Sequence, residues 1–184
     1  MKREDPRITR TRETIHSAFI SLLENTDYDD ITVQNILDKS KINRSTFYKH
    51  YMNKDALATA IIEKLKIESL IPLLEERFTT PNMEFALKAA PIINTLRKTL
   101  RILWKIDTHR ISLKRDMQKE VQRKYLEVNA NQMLLTNTDI NFQAHLFAIL
   151  SISVMEHIII SEKPLNPITM QANLQEVLAY FTHK

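Results

Sequence analysis

The sequence has no glycine, no cysteine and a single tryptophan in 184 residues. Glycine makes up roughly 7% of an average chain, and both tight hairpin turns and glycine-rich phosphate loops lean on it. Its absence argues against sheet-rich folds and Rossmann or P-loop nucleotide sites, and for an all-α chain. The lack of cysteine excludes disulfides, thiol nucleophiles and thiolate zinc sites, and suits a reducing compartment. No uninterrupted apolar run reaches the ~18 residues of a membrane span, and the start, Met1 to Asp5, has no apolar segment behind it to make a signal peptide. These absences predict a soluble, cytoplasmic protein with no membrane partner.

What is present is a chain able to fold. Hydrophobic residues make up 43%, enough for a real core. The formal charge is only +4, so its distribution carries more information than its size. Net charge is +2 over residues 1–54, −2 over 55–96, +7 over 97–124 and −3 over 125–184. Within the first segment Lys2, Arg3, Arg7, Arg10 and Arg12 make a basic arm, and an acidic turn lies at Glu24 to Asp30. From Lys39 to Lys54 every charge is positive.

Helical spacing of Ile15, Ala18, Phe19, Leu22 and Leu23 predicts a first helix over about 6–25, with Asp5 as cap and Pro6 at its first position. Thr32 caps a short second helix with Val33, Ile36 and Leu37 inward. Ser40 to Ile42 break it. Asn43 caps a third helix from Arg44 to about Tyr51, and Asn53 starts a fourth that runs through Leu70, kinks near Pro72 and ends at Phe78. A further segment begins at Thr80-Pro81 and runs with an interruption at Pro91 towards Trp104. Helices follow over about 111–129 and 142–161, separated by a loop around Thr136 to Asp139. A last one carries Leu174, Val177, Leu178 and Phe181.

Two short helices around a tight turn are the helix-turn-helix pattern, whose second helix enters the major groove. The residue types suit that task. Arg44 can fork onto a guanine, Ser45 and Thr46 are small donors and acceptors, and Tyr48, Lys49 and His50 are phosphate-contacting types. Phe47 and Tyr51, four apart, share an inward face. Thr32 and Lys54 stand at helix N-termini, where free N–H groups favour phosphate.

The stretch ITVQNILDKSKINRSTFYKHYMNKDAL, residues 31–57, resembles the N-terminal signature of the TetR/AcrR family of transcriptional regulators, and the match covers about residues 8–60. The resemblance implies a helix-turn-helix DNA-binding head over 1–54 joined to a larger helical effector-binding and dimerisation body over 55–184. It implies that Thr32, Tyr48, His50 and Lys54 hold the DNA backbone, that Gln34, Arg44, Ser45 and Thr46 read bases, and that Phe47 and Tyr51 are core. The chain departs from the family pattern at Lys41, where Gly is usual in the turn, and at Tyr51, where Phe is usual. Lys41 in a left-handed conformation carries a strain of roughly 1–2 kcal/mol.

The body is less specific. AHLFAILSISVMEHIIIS is apolar around much of its circumference. With the last helix it predicts half of a four-helix homodimer interface through about residues 141–182, which the resemblance also implies. A two-fold dimer would meet a pseudo-palindromic site in double-stranded DNA. His145 and His157 are twelve apart and do not have metal-ligand spacing on one turn. Met83, Met117, Met133, Met155 and Met170 fit core filling better than a pocket lining. The +7 segment is either a solvated face or a docking surface. No metal, triad or phosphate-loop motif is present, so no enzyme and no cofactor is expected. The reading is a homodimeric, ligand-responsive repressor with an unidentified small-molecule effector. The competing reading is a TetR-like co-regulator acting mainly through protein contacts.

Overall fold

The computed structural model describes residues 5–130, 138–161 and 163–182. The expectations placed on Lys2, Arg3, Met133 and the 136–137 part of the loop lie outside these. Among the described residues nine α-helices run in order: α1 (Pro6–Leu23), α2 (Val33–Ser40), α3 (Arg44–His50), α4 (Lys54–Leu65), α5 (Ile71–Thr79), α6 (Asn82–Trp104), α7 (Leu113–Asn129), α8 (Ile140–Ile160) and α9 (Pro167–Thr182). A 3-10 turn, Tyr28–Asp30, precedes α2. Among the described residues the extended pairing is limited to one antiparallel bridge, Asp107 to Ser112. The chain is all-α, as its composition predicts.

It divides into two compact units. The first comprises residues 1–67 with 102–113, the second 68–101 with 114–184. In the first, each expected cap is made. Asp5 accepts from the Arg7 N–H, Thr32 from Asn35, Asn43 from Thr46 and Asn53 from Ala56. Each cap satisfies an N–H that has no intrahelical partner. The core is Ile15, Phe19, Ile36, Phe47, Leu57 and Ile62, each at most 1% exposed. Ile102, Leu103, Ile106, Ile111 and Leu113 are buried with this unit.

In the second unit Leu73, Ala89, Ile93 and Ile158 form one buried cluster with Phe85, Met155 and Met170 against it. Leu74, Val121 and Ala148 form another, flanked by Phe78 and Phe147.

Three expectations need correction. The break near Pro72 is a π-helical turn, Lys66–Leu70, that separates α4 from α5 and leaves Pro72 at the start of α5. The widened turn before it makes room for the proline ring, which would clash with a regular α-helical turn. Pro91 does not interrupt its segment, because α6 is continuous through it. Pro91 and Leu87, whose carbonyl loses its partner, both lie on the exposed side, where water can serve that oxygen. Finally, α8, at 21 residues, is long and apolar enough by length and composition to cross a membrane. It nonetheless carries Glu156 paired with Lys114, and buried Ala144, Ala148 and Ile152 pack it into the helical unit.

Candidate nucleic-acid interface

The turn between α2 and α3 is made by Lys41 at φ 57°, ψ 28°, the left-handed conformation that favours glycine. Among the described residues no other non-glycine residue has positive φ. This turn, with the two caps that flank it, fixes the crossing of α2 and α3. Thr32 and Asn35 form a reciprocal capping box: the Asn35 N–H reaches Thr32 Oγ1 at 3.2 Å, and the Thr32 N–H reaches Asn35 Oδ1 at 2.8 Å. Asn43 Oδ1 accepts from the Thr46 N–H at 2.9 Å and from the Ser45 hydroxyl at 3.0 Å.

On α3 the inward and outward faces separate. Phe47 is fully buried and Tyr51 is 7% exposed. Arg44, Ser45, Tyr48 and Lys49 are exposed, while Thr46 and His50 are half-buried. Phe47 supports the outward face, since its ring meets that of Tyr48 edge-on at 5.5 Å and that of Tyr51 at 5.9 Å.

Thr32, Gln34, Arg44, Ser45, Thr46, Tyr48, Lys49, His50 and Lys54 all fall within the first unit. Several are already linked. Gln34 donates to Asp38 Oδ1 at 2.9 Å, and Arg44 donates to Gln34 Oε1 at 3.4 Å. The Arg44 guanidinium stands 6.0 Å from the Tyr48 ring centre. Asp38 is thus a participant that sequence reasoning missed, although its position one helical turn after Gln34 was a usable signal. Lys54 is also engaged, because its ammonium donates to the Tyr28 carbonyl at 2.6 Å. Arg7, Arg10 and Arg12, expected as an arm, lie within α1.

Five of the ten cations in 97–124 are engaged inside the second unit. Arg101 donates to the Ile159, Ile160 and Ser161 carbonyls. Arg97 donates to those of Ser161 and Lys163. Both therefore cap the C-terminal end of α8, where a cation is favoured. Lys114 pairs with Glu156, Arg123 with Glu120 and Glu127, and Lys124 with Glu75 and Glu127. These five side chains are less available to a docking partner than their count suggests.

Comparison with known proteins agrees with this geometry. No family model matches the chain. It is 42% identical over 90 residues, 48% of its own length, to the uncharacterized HTH-type transcriptional regulator YxbF of Bacillus subtilis. It is 36% identical over 53 residues, 29% of its own length, to the HTH-type dhaKLM operon transcriptional activator DhaS of Lactococcus lactis. The aligned region spans only 23% of the first relative and 28% of the second. Solved structures match almost end to end. A TetR transcriptional regulator from Streptococcus agalactiae superposes with a TM-score of 0.68 at 20% identity, covering 91% of this chain and 92% of that one. A transcriptional regulator from Aquifex aeolicus gives 0.62 at 17% identity, covering 93% and 99%. The chain has the TetR/AcrR fold. Within that fold the sequence similarity to YxbF and DhaS is partial.

Proposed function

We propose that this protein is a sequence-specific, DNA-binding transcriptional regulator that acts as a homodimer in the cytoplasm. The observation that carries the reading is α3: a seven-residue helix whose apolar residue, Phe47, is fully buried while Arg44, Ser45, Tyr48 and Lys49 face solvent. That is the arrangement a recognition helix needs, with Arg44, Ser45, Thr46 and Gln34 towards bases. In this reading Thr32, Tyr48, Lys49, His50 and Lys54 serve the phosphates.

Dimerisation is supported by α8 and α9. Phe142, Leu146 and Ile149 recur at helical spacing on α8 and are 62%, 43% and 39% exposed. Val177, Leu178 and Phe181 on α9 are exposed too. An apolar stripe of this kind on a surface marks an interaction site, and a second copy would cover it with two-fold symmetry. In this reading the dimer represses by occupying a pseudo-palindromic operator, and a small molecule binding the body releases it. Such a ligand must prefer the DNA-incompetent state, or it shifts nothing. The half-buried aromatic cluster of Phe78, Tyr125 and Phe147, with ring centres 5.1–6.4 Å apart, is where we place it.

A second reading is a co-regulator or activator that works through a protein partner. The similarity to DhaS, whose name calls it an HTH-type transcriptional activator, bears on the sign of regulation within it. Selection from a random duplex library followed by salt titration separates the two. Enrichment of a pseudo-palindrome, with affinity falling steeply as salt rises, supports direct operator binding. Failure to enrich any sequence removes that reading and leaves the partner-mediated one.

A further inference from the structure

The hydroxyl of Tyr51 lies 2.6 Å from Nε2 of His16. Tyr51 closes α3: its backbone N–H reaches the Phe47 carbonyl at 2.9 Å, and its own conformation is extended. His16 sits in the middle of α1, between the buried residues Ile15 and Ala18. The two rings are 5.8 Å apart and tilted by 41°. The contact therefore joins the trailing end of α3 to the longest helix of its unit, across 35 residues of sequence.

Apart from the exposed 3.4 Å hydrogen bond of Arg44 to Gln34 near its start, α3 is held by the packing of Phe47, which resists separation but is non-directional. A hydrogen bond between two ring groups adds a direction, because it weakens steeply when the angle at the donor changes. The neighbours of His16 keep it suited to that bond. Lys64 on α4 and Arg12 one turn earlier on α1 both disfavour a charged imidazole, and burial does so more strongly. A neutral ring retains one acceptor nitrogen for a phenol. His50, expected to meet phosphate, is the residue before Tyr51, and its ring lies 6.2 Å from the Tyr51 ring. Rotation of α3 about its long axis would therefore displace His50 and Lys49 together with Tyr51.

We propose that His16 is a positioning residue that anchors α3 against α1 through the Tyr51 hydroxyl and thereby sets operator affinity without touching DNA. The inference rests on the DNA-binding reading above for its functional consequence, but the anchoring itself can be measured without DNA.

The test compares the full-length wild type with Tyr51→Phe and His16→Gln, well below their melting temperatures. Tyr51→Phe removes one oxygen and preserves ring packing. It should weaken binding to the selected operator roughly three- to tenfold, the range expected for one net hydrogen bond. The slope of log Kd against log salt should change little, since the substitution removes no cationic side chain. His16→Gln keeps a side-chain partner for the hydroxyl and should bind within about twofold of wild type. Amide hydrogen exchange should be faster across residues 44–50 in Tyr51→Phe, with the rest of the first unit unaffected. Wild-type affinity in Tyr51→Phe overturns the proposal, and so does unchanged exchange in α3, whatever the affinity. If the wild type selects no operator, the DNA-binding reading fails on its own, and the exchange result alone upholds or overturns the anchor.

Discussion

The ammonium of Lys54 donates to the Tyr28 and Asp29 carbonyls, at 2.6 and 3.3 Å, and stands 4.3 Å from the centre of the Tyr28 ring. The Tyr28 hydroxyl in turn donates to Asp55 Oδ1 at 2.5 Å. Burial and this carboxylate both hold the phenol well above its ordinary pKa, burial more strongly. The first two residues of α4 thus clamp the 3-10 turn that leads into α2. Lys54→Met should destabilise the protein by about 1–3 kcal/mol through the lost charged hydrogen bonds and ring contact. Urea unfolding measures this directly, and a midpoint equal to wild type would show that the clamp contributes nothing.

Lys41 occupies a conformation that costs a side chain with a Cβ about 1–2 kcal/mol. Glycine adopts it freely but brings a more flexible unfolded chain, which offsets part of the gain. Lys41→Gly should therefore stabilise the fold by about 0.5–1 kcal/mol. The urea midpoint should rise with the slope of the transition unchanged.

His16 has its pKa lowered from 6.5 to about 4, first by burial and then by the charges of Lys64 and Arg12. The unfolded chain takes up this proton near pH 6.5, whereas the folded protein resists until about pH 4. The associated stability is complete above pH 6.5 and is lost as the pH falls from 6.5 to 4. Because the ring is only half-buried, screening reduces the loss to about 1–2 kcal/mol. Melting temperatures across this window should fall in the wild type, and less steeply in His16→Gln.

Leu146 is 43% exposed at the centre of the α8 stripe. Leu146→Glu should leave the protomer folded and turn the proposed dimer into a monomer, since a carboxylate would be desolvated at the two-fold contact. Sedimentation equilibrium gives the mass. A dimer of undiminished affinity would move the interface away from α8.

Arg101 makes three hydrogen bonds to carbonyls at the end of α8. Arg101→Ala should cost about 2–3 kcal/mol, since it removes both the bonds and the charge at the helix terminus. Hydrogen exchange should rise in the last turn of α8 before it rises elsewhere in that unit.

The parts of the fold that could be read in the sequence are those governed by neighbours along the chain. Asp5-Pro6, Thr32, Asn43 and Asn53 each mark a helix start because a cap acts on N–H groups two or three residues away. The burial of Phe47 and Tyr51 follows from their four-residue spacing. The effect of Pro91 depends on which side of α6 faces water, and only tertiary structure decides that. The α8 segment looked too short for a span when uninterrupted apolar runs were sought, since Gln143, His145, Glu156 and His157 punctuate it. Ile106, Ile111 and Leu113 announced that they would be buried, but apolar character does not say against what. The link from His16 to Tyr51 has no local signal at all. Gln34 and Asp38 do have one, their four-residue spacing, which ties Gln34 to a neighbour as well as to bases.

The turn at Lys41 bears on how this position could change over generations. Replacing it with Gly would ease the backbone but remove a cation from a stretch, Lys39 to Lys54, in which every charge is positive. That field draws in a polyanion from a distance and speeds its encounter. Under the DNA-binding reading proposed above, pressure for a sturdier fold and pressure for rapid capture of DNA push residue 41 in opposite directions. Variants selected for heat resistance alone should drift to glycine here, and should find their target more slowly at low salt.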